Sequence, residues 1–352
     1  MTRRSKASVV RAGMLAMLSF WVACAAGCGQ QGAAVPVVVD PAATATIDCL
    51  AFSPDGQMLA ANFNDVIKVW DVASGNERLK LTAPSAVNAL VWSPDGKYLA
   101  AACLQKTVEI WDLSGRPTHS LSGFKAPPTA LAWSPDGRVL AAAAGDPNPY
   151  ADQRGHVRSE VRLWDPAEGK PVGEFAKPGD TAMCLAFAPD SATLAAGCYD
   201  GRVRVWDVSA RKERVPALAH SSASVLAVAF RSDGSLLAAV GRDGEISLWN
   251  AAGWKEEGRL PGDGNRMNSV AFAASDRLLI TGAEDGSVRL WDVAARAEKA
   301  VLVAHGPRVH AVAAQARGNA VACGGAERIL FVWDLPAGEA PSGLKPRLSL
   351  HY

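Results

Sequence analysis

Two successive segments of the chain carry side chains suited to holding an anion: Arg266 with Asn268, and Arg308 with His310. Guanidinium groups form charge-assisted, often bidentate hydrogen bonds with carboxylates and phosphates. We expect these residues to form a basic sector that binds an acidic or carboxylate-bearing partner; the alternative is ordinary solvated loop charge. Residues expected close to this sector are Tyr199, Arg242 and Glu284, and the equivalent positions of other segments hold Asp48, Asn88, Thr129, Thr181 and Ser224.

A second candidate contact region is an extra stretch at residues 145–160. Its Tyr150, Arg154, His156 and Arg158 combine the aromatic and cationic character that is enriched at interfaces. Long loops on rigid scaffolds often carry recognition, so we expect a role in partner binding. The alternative is a tolerated insertion without a role.

Signatures of catalysis are absent from the sequence. It has no phosphate-cradling glycine loop, no paired-histidine metalloprotease helix and no nucleophile elbow. No cysteine or histidine pair has the spacing of a zinc site. We therefore predict a non-enzymatic protein with no cofactor and no metal.

Five cysteines, Cys49, Cys103, Cys184, Cys198 and Cys323, fall at positions where other segments have Ala, Gly or Thr. We interpret them as small buried side chains. Cys184 and Cys198 lie on adjacent predicted strands, and an exported protein can form disulfides. The strand register decides whether these two face each other, so a disulfide between them stays open.

The elements that position these residues come from an internal repeat. Trp followed by Asp or Asn recurs seven times, with spacings of 41, 53, 42, 43, 42 and 42 residues. The repeated tryptophans are Trp70, Trp111, Trp164, Trp206, Trp249, Trp291 and Trp333. An upstream aromatic marker accompanies six of them, at Phe52, Trp92, Trp133, Phe187, Phe230 and Phe272, whereas Ala314 takes that position in the seventh.

Each repeat predicts four strands, a to d. Strand a is a run such as residues 87–92, and a Ser-Pro-Asp-Gly turn leads to strand b at residues 97–101. A second turn, such as Asp200-Gly201, leads to an alternating strand c at residues 202–206. The Asp after each Trp is expected to accept backbone N–H bonds in the turn to strand d.

This pattern resembles the WD-repeat family over residues 45–335. The resemblance implies an all-β fold, a seven-bladed β-propeller of four-stranded antiparallel blades. In the family, the b–c turns and the residues that begin strands a share one face, here called the top face. The basic sector and residues 145–160 are therefore expected on the top face.

The resemblance also implies a buried relay of His, Ser or Thr, Asp and Trp in each blade, but the sequence fills it incompletely. The Asp is present as Asp200, Asp243 and Asp285, and the hydroxyl as Thr281. His220 and His305 stand at the His position of blades five and seven, and no blade has all four groups. Since incomplete buried polar networks are costly, we expect apolar packing to replace them and these histidines to be structural.

A propeller ring must be closed by a strand from one terminus, because an unpaired edge would otherwise remain. Residues 35–39 and residues 344–350 are the two candidates. Pro341 and Pro346 interrupt the second, and proline cannot donate to a strand ladder. We therefore predict that residues 35–39 provide the closing strand and that residues 336–352 form a tail.

The first residues resemble an export signal. Residues 1–27 contain Arg3, Arg4, Lys6 and Arg11, then an apolar stretch too short for a comfortable membrane span. Residues 25–28, Ala-Ala-Gly-Cys, resemble a bacterial lipobox, which implies a lipid-modified Cys28 and a tether at residues 28–44. Ordinary cleavage near Ala26 and a retained N-terminal anchor are the alternatives, and all three imply an exported protein.

Charge argues against nucleic acid as a partner. Of the 36 basic residues, four lie in residues 1–27; the 32 that remain face 35 acidic ones, and no arginine stripe appears. Binding to nucleic acid depends on neutralising phosphates, which a weakly acidic chain does poorly.

We therefore expect a monomeric scaffold in the bacterial cell envelope that binds a protein or peptide through its top face and meets the membrane only through the lipid. An accessory subunit resembling the Tol-system propeller, and a small-ligand binder or enzyme using the central channel, are the alternatives. These expectations rest on the family resemblance, and a fold alone hosts many functions.

Overall fold

The computed structural model describes residues 46–145, 159–175, 180–262, 264–273, 275–302, 306, 308–316, 318–336 and 344–351. In these ranges the chain forms 29 β-strands and no helix, grouped into seven antiparallel sheets that are the blades of a β-propeller. The predicted fold is confirmed. None of the described residues forms a helix long and apolar enough to cross a membrane.

The blades follow one another along the chain, and neighbouring blades contact each other through their strands a. Blades one and two comprise β1 (Leu50–Phe52), β2 (Met58–Phe63), β3 (Val66–Asp71), β4 (Glu77–Thr82), β5 (Val87–Trp92), β6 (Tyr98–Cys103), β7 (Thr107–Asp112) and β8 (Pro117–Leu121). Blades three and four comprise β9 (Pro128–Trp133), β10 (Leu140–Ala144), β11 (Glu160–Asp165), β12 (Lys170–Phe175), β13 (Ala182–Phe187), β14 (Thr193–Cys198), β15 (Arg202–Asp207), β16 (Lys212–Glu213) and β17 (Leu218–Ala219). In blade four, β16 and β17 share the position of strand d, since both pair with β15.

The remaining three blades have the same order of strands. Blade five comprises β18 (Val225–Phe230), β19 (Leu236–Gly241), β20 (Ile246–Asn250) and β21 (Lys255–Leu260). Blade six comprises β22 (Met267–Ala273), β23 (Leu278–Ala283), β24 (Val288–Asp292) and β25 (Ala297–Leu302). Blade seven comprises β26 (Val309–Ala314), β27 (Ala320–Gly325), β28 (Ile329–Asp334) and β29 (Leu348–His351).

The core is divided among the seven junctions between blades. Strands b are rich in Ala, Gly and Leu, and β14 and β19 are buried along their whole length because neighbouring blades cover both faces. The buried apolar residues form seven clusters, and each cluster joins two adjacent blades. All seven repeat tryptophans are buried. Each blade is therefore stabilised mainly by its two neighbours.

The predicted turn chemistry is present. In the a–b turn of blade three, the buried Ser134 hydroxyl donates to Asp136 Oδ1 at 2.6 Å. Gly137 ends this turn with a φ of +77°, a conformation that glycine adopts without steric cost. After strand c of blade four, Asp207 Oδ1 accepts a bond from the Ala210 N–H at 2.8 Å, as expected of the Asp after each Trp.

Blade seven is completed by the C-terminal strand β29, which pairs with β28 from Ile329↔His351 to Val332↔Leu348. The prediction that residues 35–39 close the ring, with residues 336–352 as a tail, is therefore wrong. The strand begins two residues after Pro346, so neither proline has to donate to the ladder. Residues 35–39 lie outside the described ranges, as do residues 1–27, Cys28 and the predicted tether at 28–44.

In the part of the chain that the structure describes, side-chain hydrogen bonds and a backbone hydrogen bond join blades seven and one across the seam between them. Gln315 Nε2 donates to the Gly56 carbonyl at 2.7 Å, and Arg347 Nη1 to the Val72 carbonyl at 2.8 Å. The Ile47 N–H donates to the carbonyl of Gly325 in blade seven at 3.1 Å. Among the described residues, each blade is formed from one contiguous stretch of chain, and none of their strands crosses this seam.

Candidate partner-binding face

The top face presents two residues from each strand a, at positions six and four before the aromatic marker. The position six before the marker holds Thr46, Ala86, Pro127, Thr181, Ser224, Arg266 and Arg308. Within this set, both cationic residues fall on adjacent blades, six and seven. At this position of strand a, positive charge is therefore confined to blades six and seven.

Polar side chains four positions before the aromatic marker form hydrogen bonds between neighbouring blades. Asn88 Nδ2 donates to the Pro128 carbonyl at 2.8 Å, and Thr129 Oγ1 donates to the Ala182 carbonyl at 2.9 Å. Asn268 follows the same pattern, since its Nδ2 donates to the Val309 carbonyl at 2.9 Å. The predicted contact residue Asn268 is thus engaged in holding blades six and seven together.

His310 has a similar role at the seam. Its Nδ1 lies 2.9 Å from Asp48 Oδ1 in blade one. Burial alone would raise the pKa of Asp48, but hydrogen bonds from His310 and Thr46 outweigh it and hold that pKa below its usual value. His310 and Asp48 therefore form a half-buried polar contact across the closing junction of the ring.

Arg266 and Arg308 meet at one carboxylate. Arg308 Nη2 lies 3.1 Å from Glu284 Oε1, and Arg266 Nε lies 3.8 Å from Glu284 Oε2. Glu284 belongs to the b–c turn of blade six, and its backbone N–H donates to the Arg266 carbonyl at 2.8 Å. The structure brings these three predicted residues together.

Arg242 and Tyr199 extend the same sector into blades four and five. The Arg242 guanidinium carbon lies 5.6 Å from the centre of the Tyr199 ring, a cation–π arrangement. Arg242 is also close enough to Arg266 for its charge to affect it. We call Arg242, Arg266, Arg308 and Glu284 the arginine cluster.

The other predicted contact residues, Tyr150, Arg154, His156 and Arg158, lie outside the described residues, and so does His305. Their predicted roles stay predictions.

The sequence did not reveal how the aspartates of the b–c turns are held. Asp200 accepts two hydrogen bonds from Arg204, at 3.1 and 2.7 Å, and Arg289 Nη2 lies 3.0 Å from Asp285 Oδ2. In blades four and six an arginine of strand c, largely shielded from solvent, therefore holds the turn aspartate, where we had expected apolar packing. The shared position of these two arginines, two residues before the repeat Trp, is a signal that could have identified them.

Blades five and six each contain part of the relay. In blade six, Trp291 Nε1 donates to Thr281 Oγ1 at 2.9 Å. In blade five, His220 is 1% exposed and its Nδ1 lies 2.8 Å from Ser247 Oγ. Ser247 lies on strand c rather than at the strand b position that the family relay predicts for a hydroxyl. His220 Nε2 lies 3.5 Å from Asp243 and makes no hydrogen bond.

This burial makes His220 a determinant of acid stability. Burial lowers the pKa of His220 below its ordinary value, and the opposing pull of Asp243 does not restore it. The unfolded chain then binds a proton more readily than the folded one. Stability is complete above the unfolded pKa of about 6.5 and falls as pH drops through it.

We expect urea unfolding between about pH 7.5 and 5.5 to show a decline in the free energy of unfolding that is smaller in His220→Gln. His119→Gln, which removes a half-buried histidine on strand d of blade two, is the matched control for the loss of an imidazole. Equal slopes for wild type and His220→Gln would contradict the assignment, whatever the absolute stability of the variant.

Cys184 and Cys198 do not form a disulfide. Cys184 pairs with Gly197 and Cys198 with Ala182, so the two thiols lie on opposite faces of the sheet and cannot form a disulfide. Cys184 packs in the cluster between blades four and five, and Cys198 in the one between blades three and four. Burial raises the pKa of both thiols to about 12, which keeps them protonated and unreactive.

The structure offers no obvious catalytic centre in the ranges that it describes. No group of three or more His, Cys, Asp or Glu in those ranges could hold a metal ion. A groove of about 560 Å³ lies between blades two and three on the face of the a–b turns. Its His119 bonds to the Ala167 carbonyl, and its Asp95 and Asp136 accept bonds from Ser93 and Ser134. These groups are engaged in hydrogen bonds of the turns and of the contact between the two blades.

Six segments of the chain match the model of the family described as "WD domain, G-beta repeat": residues 36–71, 75–112, 115–148, 169–207, 213–250 and 254–292. Together they cover more than half of the chain. Blade seven lies outside these matches, and it is also the blade whose aromatic marker is replaced by Ala314.

Curated relatives match parts of the chain. Periodic tryptophan protein 2 of Arabidopsis thaliana is 32% identical over 177 residues, which cover 50% of this chain and 19% of that protein. Small ribosomal subunit protein RACK1y of Oryza sativa subsp. japonica is 29% identical over 47% of this chain and 49% of its own length. COMPASS component SWD3 of Saccharomyces cerevisiae is 25% identical over 45% and 48%. The matches thus span about half the length of these relatives, or less.

Proposed function

The chain belongs to the WD domain, G-beta repeat family, and we propose on that premise that it is a non-catalytic scaffold that binds a protein or peptide partner through its top face. The arginine cluster is the observation that carries the proposal. Three guanidinium groups from blades five, six and seven converge on one exposed sector, whereas the neighbouring Asn268 and His310 are engaged between blades. Arginine is enriched in protein interfaces and pairs readily with carboxylates.

The names of two relatives agree with such a role. One is a small ribosomal subunit protein and another is a component of COMPASS, so each is named as part of a larger assembly. Membership of an assembly requires binding surfaces rather than catalysis. For this chain we propose a monomeric ring that uses neither nucleic acid nor a cofactor.

We further propose that the scaffold acts in a bacterial cell envelope, with residues 1–27 as the export signal and Cys28 as the lipid-bearing residue. The support is the sequence pattern of the first residues. Mass spectrometry of the mature N-terminus tests it: a diacylated or triacylated Cys28, lost in Cys28→Ser, is the expected result. A cytoplasmic, uncleaved chain would overturn it.

The binding role is tested with residues 29–352 as bait in envelope extract. The same bait carrying Arg266→Ala and Arg308→Ala should lose the partner, because both substitutions remove charge from the top face. Arg138→Ala, which removes an exposed arginine from the face of the a–b turns, should retain it. A partner kept by the double variant would place the binding surface elsewhere, and a hydrolytic activity mapped to the ring with no partner recovered would refute the scaffold.

A further inference from the structure

Glu284 lies where an anionic group of a ligand would be expected. Its two carboxylate oxygens face Arg308 at 3.1 Å and Arg266 at 3.8 Å, so it bridges two adjacent blades. The neighbouring Asp285 is engaged elsewhere, since it accepts bonds from Ser287 and Arg289 in its own blade. Glu284 is therefore the turn carboxylate that serves the arginine cluster.

One carboxylate does not satisfy this cluster. Arg266 Nε is buried and makes no hydrogen bond, because 3.8 Å to Glu284 is too long for one. Arg242 adds a third positive charge, with its guanidinium held against the Tyr199 ring. Burial lowers the pKa of Arg266, and the positive charges of Arg242 and Arg308 lower it further. The negative charge of Glu284 raises this pKa, but its effect is smaller than that of Arg242. The cluster thus carries an excess of positive charge and an unused donor.

We propose that the arginine cluster is an oxyanion-binding site and that Glu284 is its internal competitor, which occupies part of the site until a carboxylate or phosphate of the partner displaces it. This inference rests on the proposed function, because it names the chemistry that the top face would recognise. A ligand oxyanion would pair with Arg266, Arg308 and Arg242, and it would supply an acceptor for the buried Arg266 Nε. The half-exposed state of Glu284 leaves its side chain room to swing away.

Removing the negative charge of Glu284 from the binding site should strengthen the binding of an oxyanion. Glu284→Gln keeps the size of the side chain and removes the competing charge. We expect it to bind an oxyanion about five-fold more tightly than wild type, in keeping with the modest strength of half-exposed ion pairs. Arg266→Gln combined with Arg308→Gln should lose at least about ten-fold, since both charge-assisted pairs disappear.

Calorimetric titration of the folded protein with an acetylated triglutamate peptide, with inorganic phosphate and with an acetylated trilysine peptide measures these effects. Binding of triglutamate, phosphate or both, strengthened in Glu284→Gln, supports the proposal, and the stronger of the two arms identifies the group recognised. Arg138→Gln is the matched control, and it should bind as wild type does.

The proposal fails if neither oxyanion binds wild type or Glu284→Gln, if Glu284→Gln binds no more tightly, or if the double arginine variant binds equally well. Circular dichroism establishes that each variant is folded. Failure of the titration can be distinguished from failure of the proposed scaffold function. If the titration fails but the bait still loses its partner upon Arg266→Ala and Arg308→Ala, the top face remains the binding surface and only the competitor role of Glu284 is refuted.

Discussion

Leu350→Ala should destabilise the whole ring, lowering the free energy of unfolding by about 3 kcal/mol. Leu350 lies on the closing strand β29, is 8% exposed, and packs in the cluster shared by blades seven and one. Its loss leaves a cavity at the seam, where none of the described strands passes from one blade to the other. Because each blade is stabilised by its neighbours, loosening this junction affects all seven. Urea unfolding followed by tryptophan fluorescence measures the change.

Val172→Ala is the matched control for Leu350→Ala. Val172 also lies on an outer strand, β12 of blade three, but it is 40% exposed, so its truncation should change stability by less than about 0.5 kcal/mol. If Leu350→Ala costs no more than Val172→Ala, β29 does not close the ring. Replacing residues 35–39 with a Gly-Ser sequence should likewise leave stability near that of wild type, and a large loss there would return the closing role to the N-terminal segment.

Gly201→Ala is the second substitution with a large expected cost, about 3 kcal/mol or more. Gly201 ends the b–c turn of blade four with a φ of +78°. A β-carbon at this position would lie 2.2 Å from the Ser221 carbonyl oxygen and 2.8 Å from that of Ala223. Both atoms belong to the backbone that enters blade five, so neither can move away cheaply. The substitution should therefore lower stability and displace the connection between blades four and five.

Gly137→Ala separates the two components of that cost. Gly137 has nearly the same φ, +77°, but a β-carbon there would meet nothing within 4 Å. It should cost only the left-handed backbone conformation, about 1 kcal/mol. Thermal and urea unfolding of both variants gives the comparison, and equal losses would show that the clash with Ser221 and Ala223 is relieved by relaxation.

The fold could be predicted from the sequence because its signals are local and repeated seven times. The spacing of the tryptophans, the Ser-Pro-Asp-Gly turns and the alternation of strands c each depend on residues a few positions apart. Ring closure is different, since β28 and β29 pair across a connection whose length and prolines carry no periodic signal. We treated Pro346 as an interruption of the C-terminal strand and therefore assigned ring closure to the N-terminal segment. The strand in fact starts just beyond Pro346.

The candidate site could be predicted in part. Equivalent positions on successive strands a placed Arg266 and Arg308 on one face, and the position before the turn Asp placed Glu284 beside them. The sequence does not show which polar side chains form hydrogen bonds to the neighbouring blade and which remain available to a partner. Asn268 and Arg308 both looked available, yet only the geometry shows that Asn268 bonds to the Val309 carbonyl while Arg308 faces Glu284.

The seam between the first and last blades has a consequence for how the molecule opens. With every blade drawn from one continuous stretch, the ring is a linear array whose two ends touch, and its first local opening should occur there. Amide protons of β1 and β29 should accordingly exchange with solvent sooner than those of blades three to five. The same construction keeps each blade a self-contained segment, so the number of blades can change through duplication or loss of a single stretch of gene without breaking any shared sheet.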